Sequence, residues 1–135
     1  MNVGVVGFSD SKKFNEENAK KEIIKAFDML ELVFKGEEFR IVSGLTNLGI
    51  PKLAYEEAVK RHWETVGIAC SKANEHDLFD VDESKIVGND WGDESETFLK
   101  YCDIFLRFGG GEQSLDEMSE AKKMEKKVFE YDIPQ

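Results

Sequence analysis

FLRFGGGEQSLDEM, residues 105–118, decides how this chain is read. The apolar run Ile104-Phe105-Leu106 leads into Gly109, Gly110 and Gly111. Ser114 then opens an amphipathic segment that runs to about Met124. The order is strand, tight glycine-rich turn, helix N-terminus. Glycines accept positive φ and leave backbone amides bare to a ligand. The first helical turn adds unpaired N–H groups and the positive end of the helix dipole. Together these features make a site for a phosphate or another anion. Glu117, inside the helix, puts a carboxylate beside that site. The plainer alternative is a helix entry that holds nothing.

The same alternation extends in both directions. Val3–Gly7 reads as a buried strand, and Glu16–Phe34 as a helix with Asn15 as its N-cap and Ala19, Ile23, Ile24, Phe27, Leu30 and Val33 at helical spacing. Phe39–Val42 is a second strand. Leu53–His62 is a helix with Leu53, Ala54, Ala58 and Val59 as its inward positions. Thr65–Ala69 and Ser84–Val87 are strands, and Glu94–Tyr101 is a short helix. Ile104–Arg107, Leu115–Met124 and Lys127–Tyr131 complete the pattern as strand, helix and strand. Strands separated by helices imply βαβ units, hence a single-domain Rossmann-like α/β fold with a mostly parallel sheet between two helical layers. Near-continuous apolar strands fit a sheet covered on both faces.

In such sheets ligands bind beyond the carboxyl ends of the strands. The loops that follow strands are therefore the candidate site. Gly7, Ser9 and Asp10 follow the first strand, though a simple Asx or Ser turn explains the last two equally well. Ser43, Gly44, Thr46 and Gly49 follow the second. Gly109, Gly110, Gly111, Glu112, Gln113 and Ser114 form the third group. Two glycine-containing loops at helix starts suggest two anion cradles on one edge.

Composition narrows the partners. The 135 residues carry a formal net charge of −10. A generic nucleic-acid surface needs clustered cations, and an anionic membrane needs the same, so both are disfavoured. A small anion held by amides remains compatible with an acidic chain. No stretch approaches the roughly 20 apolar residues of a membrane span. The chain starts directly in a strand-like run without a signal sequence, and a cytoplasmic location is expected. Cys70 and Cys102 lack metal spacing and read as small buried hydrophobes. Neither G-x-G-x-x-G nor a phosphate-loop G-x-x-x-x-G-K-S/T pattern is present, which disfavours dinucleotide redox chemistry and phosphate-loop hydrolysis. No metal and no resident cofactor is expected.

Gly109-Gly110-Gly111-Glu112-Gln113-Ser114-Leu115-Asp116-Glu117 resembles the P-G-G-x-G-T-x-x-E loop of the SLOG superfamily, which includes the LOG-type nucleotide phosphoribohydrolases. Gly110 and Gly111 match the paired glycines, Ser114 stands for the threonine, and Glu117 matches the glutamate. Gly109 replaces the proline and Gln113 the third glycine. Ile41-Val42-Ser43-Gly44-Leu45 resembles the family's strand and Ser-Gly-Gly loop, with Leu45 for the second glycine. The likeness runs from Val3 to Tyr131. It implies a nucleotide or phosphorylated nucleoside as ligand, Glu117 as the catalytic group of an N-glycosidic hydrolysis, and a homodimer paired through helices that carry Phe34, Phe98, Tyr101 and Met118. The arginine that assists the glutamate in LOG enzymes is missing; Asn89–Glu96 stands in its place. The resemblance thus leaves two readings, a hydrolase and a non-catalytic nucleotide sensor or binder.

Within Asn89–Glu96 the four carboxylates do not match an EF-hand loop. An acid-rich helix start is the simpler explanation. Trp91, Asp93 and Glu94 are also candidate contacts to a base or ribose, since carboxylates suit diols. His62 and His76 read as surface or loop residues, and Tyr55 and Trp63 as packing.

Overall fold

Alternate residues of the inner strands point to opposite faces, and both faces are apolar. The computed structural model describes residues 1–9 and 14–134; Asp10 lies outside them. The strands are β1 (Asn2–Gly7), β2 (Arg40–Ser43), β3 (Glu64–Ala69), β4 (Glu83–Ile86), β5 (Ile104–Phe108) and β6 (Lys127–Tyr131). The helices are α1 (Glu16–Val33), α2 (Gly49–Lys60), α3 (Ser95–Tyr101) and α4 (Glu112–Lys123), and a 3-10 turn spans Ser71–Glu75. The sheet is entirely parallel, in the order β4-β3-β2-β1-β5-β6. This is the expected α/β architecture.

Val3 and Val5 of β1, Ile41 of β2, and Ile104, Leu106 and Phe108 of β5 pack with Ile23, Phe27 and Leu30 of α1 and with Ala54 and Ala58 of α2. Val6, Val42, Val66 and Phe105 point the other way, onto Phe98 and Leu99 of α3 and Met118 and Ala121 of α4. A strand period of two therefore feeds two separate layers. β1 and β5 are neighbours whose outgoing loops lead to opposite faces, α1 on one and α4 on the other. They mark the topological switch point, where such sheets open a crevice.

Several boundaries move. α2 begins at Gly49, four residues before the expected Leu53, because Pro51 sits in the first turn, where no intrahelical N–H is needed. α4 begins at Glu112 with Gly111 as N-cap, so Ser114 is the third helical residue and not the opening one. Val59 is 54% exposed and does not face inward. Asn15 caps α1 as expected, accepting from the Asn18 amide at 3.1 Å. Trp63 packs between Phe27 and Phe39, and Cys70 and Cys102 are buried and unpaired. No helix among the described residues is long and apolar enough to cross a membrane.

Tyr55 of α2 joins the layers. Its hydroxyl is buried, accepts from the Ser43 amide at 3.1 Å, and lies 2.8 Å from the Gly44 carbonyl and 2.9 Å from that of Val66. This holds the end of β2 against β3 exactly where the Ser43–Gly49 loop departs. Burial pushes the phenol's pKa far up. Tyr55→Phe would strand a buried amide, and urea denaturation should show a loss of about 1–3 kcal/mol.

Candidate functional site

A cleft of about 650 Å³ opens at the carboxyl edge over the switch point. Its walls come from the ends of β1, β2 and β3, the start of α4, and the loops before α2 and α3. Gly7, Ser9, Ser43, Gly44 and Thr46 line it, as do Trp91, Glu94, Gly111, Glu112, Gln113, Ser114 and Glu117. The sequence-nominated residues are thus largely brought together. Phe8, Leu48, Ile68, His76 and Phe98 line it too. Sequence reading did not select these five. Phe8 and Leu48 lie inside loops the sequence pointed to, whereas Ile68, His76 and Phe98 reach the cleft because elements distant in sequence become neighbours.

Four nominated residues do not line the cleft. Gly49 has φ +59, and a Cβ there would meet the Phe8 carbonyl at 2.3 Å. Gly109 lies under the Phe8 ring, and Gly110 has φ +107 and lies against Ser114. Tight turns require these three glycines. Asp93 caps its own loop, with Oδ2 accepting from the Asn89 and Asp90 amides at 3.0 Å each. Those bonds hold the Asp93 carboxyl below the usual carboxylate range. Ser43, although on the wall, is buried, and its hydroxyl donates to the Val5 carbonyl at 2.7 Å.

Gly44 and Gly111 differ from the other glycines. Neither has a positive φ, and a Cβ at either would meet nothing within 4 Å. The fold itself does not require glycine at these two positions, and both face the cleft. Bare backbone there leaves room for a ligand to approach.

The two expected cradles reduce to one. At α2 the Ile50 amide is taken by the Phe8 carbonyl at 2.8 Å, and Pro51 has no N–H. At α4 no described residue accepts from the amides of Glu112, Gln113 or Ser114; the first recorded bond of that turn is from Leu115 to the Gly111 carbonyl, at 3.2 Å. These open donors converge with the helix dipole on the cleft. A larger concavity of about 810 Å³ at the opposite edge is lined by Glu37, Glu38 and Glu64 among others, and the strands' amino ends there bring no helix N-terminus to it.

Glu117 stands in the cleft wall with Oε2 accepting from the Ser95 hydroxyl at 3.0 Å. Burial pushes its carboxyl up to about 7; the Ser95 bond opposes the shift and Glu94 adds to it. Arg107 is turned away from the cleft. It is 8% exposed and bonds Glu130 at 2.7 Å, the Gly109 carbonyl at 2.9 Å and Asp132 at 3.4 Å. Its guanidinium fastens the glycine turn to the end of β6. Glu94, Glu112 and Glu117 are on the cleft wall, and no lysine or arginine is among the described lining residues. No group of metal-ligating side chains occurs among the described residues.

Neither the protein-family models nor the curated proteins contain a match to this sequence. Solved structures do match. The molybdenum cofactor binding protein of Rippkaea orientalis superposes with a TM-score of 0.77 at 23% identity, over 97% of this chain and 76% of that one. The molybdenum cofactor carrier protein of Chlamydomonas reinhardtii gives 0.74 at 18% identity, over 96% and 74%. The X-ray structure of TM1055 gives 0.74 at 19%, over 94% and 71%. This chain shares their Rossmann-like fold.

Two predictions follow from the geometry. Gly44→Ala and Gly111→Ala should each leave the melting temperature within about a degree of wild type, a surface-like change, while weakening ligand binding in titration. Glu117 has a folded value near 7 against an ordinary 4.5. Its contribution to stability is therefore complete below pH 4.5 and declines as pH rises to about 7, because the folded state keeps a proton the unfolded chain has lost. Glu117→Gln should flatten that slope and melt above wild type at pH 8 by scanning calorimetry.

Proposed function

We propose that this protein binds a phosphorylated, ring-bearing small molecule at the carboxyl edge of the sheet and holds it without transforming it. One observation carries the reading: the amides of Glu112, Gln113 and Ser114, taken by no described acceptor, meet the bare backbone of Gly44 and Gly111 in one cleft. Its volume suits a nucleotide-sized ligand. The phosphate would sit on the amides of α4 and the Ser114 hydroxyl, with the remainder directed toward Thr46, His76 and Trp91. Three carboxylates among the described lining residues favour a single phosphate over a polyphosphate chain. A nucleoside monophosphate is the ligand suggested by the SLOG resemblance. The molybdenum cofactor, named for two structural neighbours, is the second candidate of this class.

Hydrolysis of an N-glycosidic bond, as in LOG enzymes, is the second reading. Glu117 favours it: a cleft carboxyl with a value near 7 can carry or accept a proton at neutral pH. The bonds of Arg107 to Glu130, Gly109 and Asp132 weigh against it, since they turn this arginine away from the glutamate. A homodimer belongs to the same proposal, but its surface differs from the expected one. Phe98 and Met118 are core residues, while Leu32 and Val33 of α1 and Val59 of α2 are exposed.

Calorimetric titration should show a nucleoside monophosphate binding more tightly than its triphosphate. Binding should weaken from pH 6 to pH 8 as Glu117 ionises beside the anion. Chromatography after hours of incubation should find no free base. Base release by wild type, reduced about 100-fold or more in Glu117→Gln with binding intact, would instead establish the hydrolase.

A further inference from the structure

Trp91 is 51% exposed although it stands on the cleft wall. The other tryptophan, Trp63, is packed between Phe27 and Phe39 at the far edge. A large aromatic face is thus left to water at the cleft mouth. The His76 ring approaches it from a different element, the end of the 3-10 turn after β3, with centroids 5.8 Å apart and planes at 46°. Rings at that angle cannot sandwich a third ring. They make a corner that offers one face and one edge.

The corner is built on a braced loop. Asp93 accepts from the Asn89 and Asp90 amides, and Glu94 accepts from the Gly92 amide at 3.1 Å. The loop is tied to the 3-10 turn by the Lys72–Asp90 pair at 2.8 Å and by the Ser71 amide donating to the Gly88 carbonyl at 3.0 Å. Both carboxylates nominated as ring or ribose contacts therefore hold backbone amides, and what they position is the indole.

We propose that Trp91 and His76 form a stacking corner for the planar ring of the ligand and make the site select ring-bearing phosphates over bare sugar phosphates. This rests on the proposed ligand class and adds the element that recognises its ring. A π-face accepts any flat heterocycle, so the corner supplies affinity without choosing among bases.

The test uses the full chain with adenosine 5′-monophosphate, guanosine 5′-monophosphate and ribose 5-phosphate as probes. Wild type should bind both nucleotides at least about tenfold more tightly than the sugar phosphate, and either nucleotide should quench tryptophan emission. Trp91→Ala should remove about 5- to 100-fold of nucleotide affinity, the usual range for one base–aromatic stack, and leave ribose 5-phosphate binding unchanged. It should also abolish the quenching, because Trp63 lies away from the cleft. Trp91→Phe should keep most of the ring preference, and His76→Ala should lose a smaller part. Equal affinity of wild type for sugar phosphate and nucleotides would overturn the corner and leave the anion site standing, as would an unchanged preference in Trp91→Ala. Failure of all three probes to bind would overturn both the corner as a nucleobase site and the nucleoside-monophosphate reading beneath it.

Discussion

The close parallel pairing of β1 with β5 is the constraint on which the rest depends. The two strands run side by side from Val3 opposite Ile104 to Gly7 opposite Phe108. A Cβ on Gly7 would meet the Phe108 carbonyl at 2.4 Å, and one on Gly4 would meet the Phe105 ring at 2.6 Å. Missing side chains therefore let the strands and α3 close together. The chain then leaves β1 toward one face and β5 toward the other. A crevice opens between the diverging loops, and the start of α4 is carried to its rim. Fastening of the glycine turn by Arg107 and of the β2 loop by Tyr55 keeps both walls in place.

Electrostatically the site combines opposites. The chain is strongly acidic, and its cleft carries carboxylates without a basic side chain among its described lining residues. Attraction for an anion comes from oriented amides and a helix dipole, which are fixed partial charges and need no counter-cation. Such a source is short-ranged. It suits one phosphate seated directly on the helix and gives little pull on a longer anionic chain. Glu117 sits at the balance point: protonated it is a neutral donor, ionised it would repel an anion at the proposed site.

Much of this was legible before the structure. The glycine run, the apolar strand before it and the amphipathic segment after it fix a strand–turn–helix unit, because each has a local cause in backbone freedom and periodicity. The roles of individual glycines were less legible. Gly49, Gly109 and Gly110 look like Gly44 and Gly111 in sequence, yet positive φ and close neighbours require the first three and open space surrounds the last two. The α2 cradle failed for a comparable reason: the carbonyl of Phe8, which takes the Ile50 amide, comes from another part of the chain.

By itself the sequence determined the alternation of strands and helices, the acidic balance, and the loops that face the carboxyl edge. These follow from local propensity and from charges that can be counted. Only the tertiary structure decided which strands are neighbours, and with that everything that depends on adjacency. Ser95 and Glu117 meet across 22 residues, and His76 and Trp91 meet at the cleft mouth. Arg107 is drawn out of the cleft toward β6 because Glu130 and Asp132 are there to receive it. A proton affinity and a stacking corner both arise from distances between elements, which no single segment encodes.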